Sequence, residues 1–114
     1  MHKRPPARSK RQRRRTPSRN HSVYVVELDA SGAPGKMSPL PPVYVGMTGL
    51  TPEARLANHK KGHKASRIVR KHGVRLLPAL YTHLNPMTYE EALVAEVALA
   101  NMLRQQGRVV FGGH

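Results

Sequence analysis

The sequence predicts a small α+β domain in which a three-stranded sheet, with a short extra strand at 108–111, is flanked by helices. Three observations lead there. Two β-branched, tyrosine-containing runs lie near each other at 22–28 and 43–48. Helix-start chemistry follows at 51–53 and again at 88–91. The second start opens the longest apolar segment of the chain, which runs to a glycine at 107. The resulting order is strand, strand, helix, helix, strand, helix, and helices set against an antiparallel sheet make an α+β domain.

Residues 1–20 precede all of this. Lys3, Arg4, Arg8, Lys10, Arg11, Arg13, Arg14, Arg15 and Arg19 give nine cations and no acid, interrupted by Pro5, Pro6 and Pro17. Like charges and prolines with almost no apolar side chain cannot bury a core, so a disordered basic arm is expected, with a single domain over 21–114. Ser22–Leu28 is β-branched and aromatic and reads as a strand. Asp29 to Pro42 carries Ser31-Gly32, Pro34-Gly35, Pro39 and Pro41-Pro42 and reads as a long loop. Val43–Thr48 reads as a second strand, antiparallel to the first. Thr51-Pro52-Glu53 supplies an N-cap, a proline at the first helical position and an acid in the first turn, so a helix runs from there to about Lys61 and stops at Gly62. Leu56 and Ala57 are expected to face the core. A short basic helix, about Lys64 to His72, ends at Gly73. Val74 to Leu84 is mostly β-like, with Pro78 confining it to an edge or breaking it. Asn85-Pro86 is a turn. Thr88 and Glu91 form a capping box that fixes the start of the last helix, which ends near Gln106.

Bulk charge narrows the function classes. The chain of 114 residues has 20 Lys and Arg against 6 Asp and Glu, a net charge of +14. Outside the arm, eleven cations face all six acids, so the body is basic in its own right. Such an excess points to a polyanionic partner, most often nucleic acid. No apolar run reaches the length of a membrane span. The basic N-terminus has no apolar segment after it, so no secretory signal is expected. The chain has no cysteine, which excludes disulfides and thiolate metal sites and fits a reducing compartment. A cytoplasmic protein associated with DNA is the expectation.

Glu96 is the anomaly of the last helix. It sits inside Ala92–Ala100, the most apolar stretch, and a buried carboxylate calls for a cation or a metal. Other candidates are Tyr24 and Tyr44 in the middle of the two strands, and Gly46, where the backbone can be approached closely. Arg55 and His59 are four apart and share one helix face. His63, His72, His83 and His114 show no metal-ligand spacing.

The order Val23-Tyr24, then Tyr44-Val45-Gly46, then Arg55 with His59, then a helix holding one central Glu96 resembles the GIY-YIG nuclease family over about residues 22–111. Ser22-Val23-Tyr24 stands at the first triplet and Tyr44-Val45-Gly46 at the second. Arg55 matches the family arginine, His59 the histidine some members carry one turn later, and Glu96 the metal-binding glutamate. The sequence departs from the family in having Ser22 in place of glycine, a longer loop at 29–42, and no asparagine after the glutamate helix, Asn101 lying within it. The resemblance implies an endonuclease that cleaves DNA phosphodiesters with one divalent ion.

The acid count agrees with one metal, because two-metal sites need clustered carboxylates. Mg²⁺ or Mn²⁺ held by Glu96 is the expected cofactor, since a hard ion accepts one carboxylate and keeps several waters. Arg55 would offset phosphate charge. Tyr24 would act as general base, with its pKa lowered by the metal, Arg55 and the positive field. Tyr44 would orient water or phosphate, and His59 would assist proton transfer or hydrogen-bond Tyr24. Gly46, Lys60, Lys61, His63, Lys64, Arg67, Arg70 and Lys71 are the candidate nucleic-acid contacts, tracking the backbone without reading bases. The rival reading is a non-catalytic nucleic-acid-binding protein of the same fold, on DNA or RNA, with Glu96 paired to Arg55 or Arg104. A structural component of a ribonucleoprotein is a third.

Overall fold

Four adjacent residues of Ser22–Leu28 (β1), Val23 to Val26, are all buried, so both faces of this strand are covered. Their alternation between faces puts Tyr24 and Val26 on one side and Val23 and Val25 on the other. Each fully buried valine or leucine of β1 contributes about 1.5–3 kcal/mol relative to exposure. The computed structural model describes residues 18–35, 38–62 and 66–113. Most of the basic arm, together with His63 and Lys64, lies outside the described residues.

The sheet has four strands, with Gly73–Leu76 and Val43–Thr48 on either side of β1 and Val110–Gly112 beyond Val43–Thr48. β1 pairs antiparallel with Val43–Thr48 (β2), which sets Tyr24 opposite Gly46 and Val26 opposite Tyr44. Pro52–Lys61 (α1) starts as its sequence requires: Thr51 accepts from the Ala54 amide, proline occupies the first turn, and Gly62 closes the helix at φ 82°. Its one buried residue is His59, whereas Leu56 is half-buried and Ala57 exposed. The expectation of a core-facing pair therefore holds for Leu56, which packs against the core, and is corrected for Ala57. The helix turns its histidine inward because that ring finds polar partners there.

Arg67–His72 (α2) has Ser66 as its extended N-cap, so the helix begins at Arg67 rather than at about Lys64, which itself lies outside the described residues. The chain passes directly into Gly73–Leu76 (β3), antiparallel to β1. The β-like reading of 74–84 holds only to Leu76. Pro78 begins a 3-10 turn, Pro78–Leu80, and a second follows at Thr82–Leu84. Proline cannot donate to a ladder, so the strand ends before it. Beyond that point the Asn85 side chain takes the strand's place: its amide nitrogen donates to Val23 O at 2.8 Å and its oxygen accepts from Val23 N at 2.9 Å. The Asn85–Pro86 bond is cis.

Tyr89–Gln105 (α3) opens on the expected capping box. Thr88 Oγ1 accepts from Glu91 N at 3.1 Å, and Glu91 Oε1 accepts from Thr88 N at 2.9 Å. The carboxylate of Glu91 also accepts from Arg19 at 3.1 Å. The buried stripe of α3 is Ala92, Glu96, Leu99, Ala100 and Leu103. Val110–Gly112 (β4) then pairs parallel with β2, so the short extra strand is present and the sheet is mixed. Gly113 follows at φ 72°, and a Cβ there would lie 2.3 Å from the Ala100 Cβ, so only glycine lets the chain end pack on α3. Among the described residues no helix is long and apolar enough to cross a membrane.

Candidate active site

Tyr24 is 1% exposed, and its ring lies across the strand beside it. A Cβ placed on Gly46 would stand 2.6 Å from the Tyr24 hydroxyl oxygen and 2.7 Å from the ring carbon that bears it. Gly46 therefore exists to make room for this ring. The close approach anticipated there for nucleic acid is made instead by the protein's own tyrosine, and Gly46 is buried beneath it. Tyr44, two residues earlier on the same face, brings its ring centroid to 6.3 Å from that of Tyr24.

α1 delivers the next two groups. His59 is fully buried, with its ring 6.1 Å from Tyr24 and 5.9 Å from Tyr44. Its Nδ1 accepts the Ser66 backbone N–H at 3.0 Å. That bond fixes the tautomer, leaving the proton on Nε2, which donates to the Tyr24 oxygen at 2.9 Å. Burial, followed by the nearby Arg55 charge, lowers the His59 pKa from 6.5 to about 4, so the ring is neutral at pH 7. Arg55 lies one turn earlier, is half-buried, and hydrogen-bonds the Tyr24 oxygen as well. The Tyr24 oxygen is thus approached by two donors.

Glu96 completes the group. It is 7% exposed, and its charge acts on both phenols, raising their pKa values, while Arg55 acts on both in the opposite sense. Such coupling requires proximity, because charge interactions fall off with distance and are screened by water. Tyr24, Tyr44, Arg55, His59 and Glu96, separated by up to 72 positions in sequence, converge in one place.

Two expectations about this group change. Burial, reinforced by Tyr44, raises the Tyr24 pKa well above the ordinary phenol value despite the opposing Arg55. The expected lowering, which counted on the metal and the positive field as well as Arg55, is not supplied by Arg55 alone, because desolvation outweighs a single guanidinium. Tyr44 is raised as well, by burial first and Glu96 second, against Arg55 and a hydrogen bond with the Ser66 side chain. In addition, His59 presents N–H to Tyr24 with its other nitrogen already engaged. Of its two expected roles, the geometry provides the hydrogen bond and leaves no lone pair to receive the Tyr24 proton.

Reasoning from sequence overlooked Ser66, which touches both His59 and Tyr44. A serine just before a helix was the available signal. Arg104 places its guanidinium on Asn101 Oδ1 at 3.2 Å and near the carbonyls of Val110 and Gly112. Among the expected phosphate contacts, Arg67, Arg70 and Lys71 line, with Gly62, a cleft of about 620 Å³. Lys61 is exposed. Lys60 instead donates to the Gly73 carbonyl at 2.5 Å, tying α1 to β3.

Among the described residues, no three His, Asp or Glu side chains gather as a ready-made metal cage. The donors of the convergent group open to an ion are the Glu96 carboxylate and the Tyr44 phenol oxygen, the Tyr24 oxygen being taken up by its two hydrogen bonds. That all-oxygen set fits a hard ion which keeps most of its own water. No protein-family model matches this chain, and neither the curated proteins nor the solved structures searched contain a match.

Proposed function

We propose that this protein is a metal-dependent DNA endonuclease of GIY-YIG type, hydrolysing phosphodiester bonds with one divalent ion, Mg²⁺ or Mn²⁺. The observation that supports this reading is the meeting of Tyr24, Tyr44, Arg55, His59 and Glu96 around one point, with Arg67, next in the chain to the Ser66 that touches His59, lining a cationic cleft. Glu96 would hold the ion, which when bound supplies positive charge to the phosphate and to the departing 3′ oxygen.

The chain's own residues supply the rest. Arg55 is placed to neutralise a phosphate oxygen through a planar fork that lysine cannot copy. His59 and Arg55 both donate to the Tyr24 oxygen, so a phenolate there would be met by two hydrogen bonds. Tyr24 is the group assigned as general base. Once its own proton has gone to solvent, the phenolate would accept the proton of the attacking water as the new P–O bond forms. The 3′ oxygen would leave with a proton from water as the old bond breaks. Tyr44, less buried, orients water or a phosphate oxygen. Lys61, Arg67, Arg70 and Lys71 follow the backbone, so sequence preference should be weak.

The test is nicking of supercoiled plasmid with Mg²⁺ against an EDTA control. Glu96→Gln should lose cleavage and retain DNA affinity measured by fluorescence anisotropy. Cleavage that persists in a clean Glu96→Gln preparation defeats the assignment. A second reading, a non-catalytic nucleic-acid-binding protein on DNA or RNA, draws on the burial of Tyr24, His59 and Glu96. Binding without nicking across several metals and both nucleic acids would favour it.

A further inference from the structure

α3 is apolar on two sides. Opposite its buried stripe, Leu93, Val94, Val97 and Met102 are 40%, 71%, 38% and 45% exposed, and Ala98 lies among them. Soluble monomers rarely expose contiguous apolar patches larger than a few hundred Å². The charge pattern of this face specifies what covers it. Glu90, Val94, Val97, Asn101 and Arg104 follow one another at steps of four, three, four and three, the spacing of one helical seam. An acid opens the seam, a cation closes it, and its middle holds Val94, Val97 and one amide, Asn101, on which the exposed Arg104 guanidinium rests.

We propose that this face is the interface of a two-fold symmetric dimer in which two α3 helices pack antiparallel, centred on Val97. Antiparallel pairing about Val97 sets Glu90 against the partner's Arg104 at both ends, and an isologous interface demands such self-complementarity. It also opposes the two helix dipoles favourably. The chain's charge of +14 resists self-association over most of its surface, but 92–103 contains no cation and its one acid, Glu96, faces inward. Nucleic acid is a poor occupant, because this surface offers no cation for phosphate. A different protein would have no reason to match an acid-to-cation polarity that the chain's own inverted copy matches. Under the nuclease reading, the dimer would carry two cutting sites. The interface itself does not rest on that reading, since its test uses no nuclease activity.

The test is sedimentation velocity on the full chain over a concentration series. Wild type should show a concentration-dependent dimer. Val94→Glu, at the most exposed of these positions, should be monomeric with an unchanged circular dichroism spectrum. Glu90→Arg and Arg104→Glu should each weaken the dimer about tenfold, and the double reversal should restore it. A wild type that stays monomeric throughout overturns the proposal. So does a dimer that survives Val94→Glu, or a double reversal no tighter than the single variants.

Discussion

Tyr24 and Tyr81 are buried to the same degree, each 1% exposed, yet their surroundings differ in kind. The Tyr24 oxygen receives His59 Nε2–H and the Arg55 guanidinium, and a glycine opposite clears space for its ring. The Tyr81 hydroxyl, in the turns after β3, has no hydrogen-bond partner among the described residues. Burial raises both phenols, Tyr81 to about 12 with a further push from Glu53. A perturbed pKa therefore does not distinguish a site from a packing residue in this protein. The convergence of donors does.

That contrast can be broken at several points. His59→Ala should have the largest effect, about 3 kcal/mol of lost stability in urea denaturation, because it leaves a cavity and deprives both Tyr24 and the Ser66 amide of a partner. The same histidine gives the protein a pH signature. Its folded-state pKa is about 4 against 6.5 for an ordinary histidine, so the unfolded chain binds more protons in that interval. Its contribution to stability should be complete above about 6.5 and should fall away as pH drops toward 4. His59→Asn should flatten that part of the stability profile. The depressed carboxyls of Glu91 and Asp29 begin to contribute losses only as pH falls through their ordinary values of 4.5 and 3.8, so above 4.5 the His59 effect stands apart from theirs.

Gly46→Ala should cost about 2 kcal/mol, because the new methyl displaces the Tyr24 ring. The loss should shrink when Tyr24 is already replaced by a small side chain, which a double-mutant cycle would measure. Tyr24→Phe should destabilise by about 1–2 kcal/mol, leaving a buried His59 donor unsatisfied. Tyr81→Phe should change stability by less than about 0.5 kcal/mol or improve it, since it removes a buried group that had no partner. Equal effects from the two phenylalanine substitutions would erase the comparison between the two tyrosines.

Much of this architecture was legible in local patterns. The β-branched runs gave β1 and β2 to the residue, and Thr51, Gly62, Thr88 and Glu91 marked helix ends by chemistry that acts within a few positions. Glu96 declared itself by being an acid in an apolar helix. What stayed hidden depends on contacts distant in sequence. Nothing near Gly46 says that its missing side chain is filled by a ring from another strand. The His59 tautomer is set by a backbone N–H seven residues away in the next helix's cap. The strand after Gly73 stops early through Pro78, and the deficit is made up by Asn85, 62 positions from the residue it serves.

That last substitution of a side chain for a strand bears on solubility. Val23–Val26 is a β-branched apolar run without charge, the kind of segment on which other chains add to form aggregates. β3 leaves the edge of β1 uncovered at Val23, and an open backbone edge is a template. Asn85 closes it with an amide of the same shape and polarity as a peptide group, so that, at the cost of one residue, this run of β1 offers no open backbone.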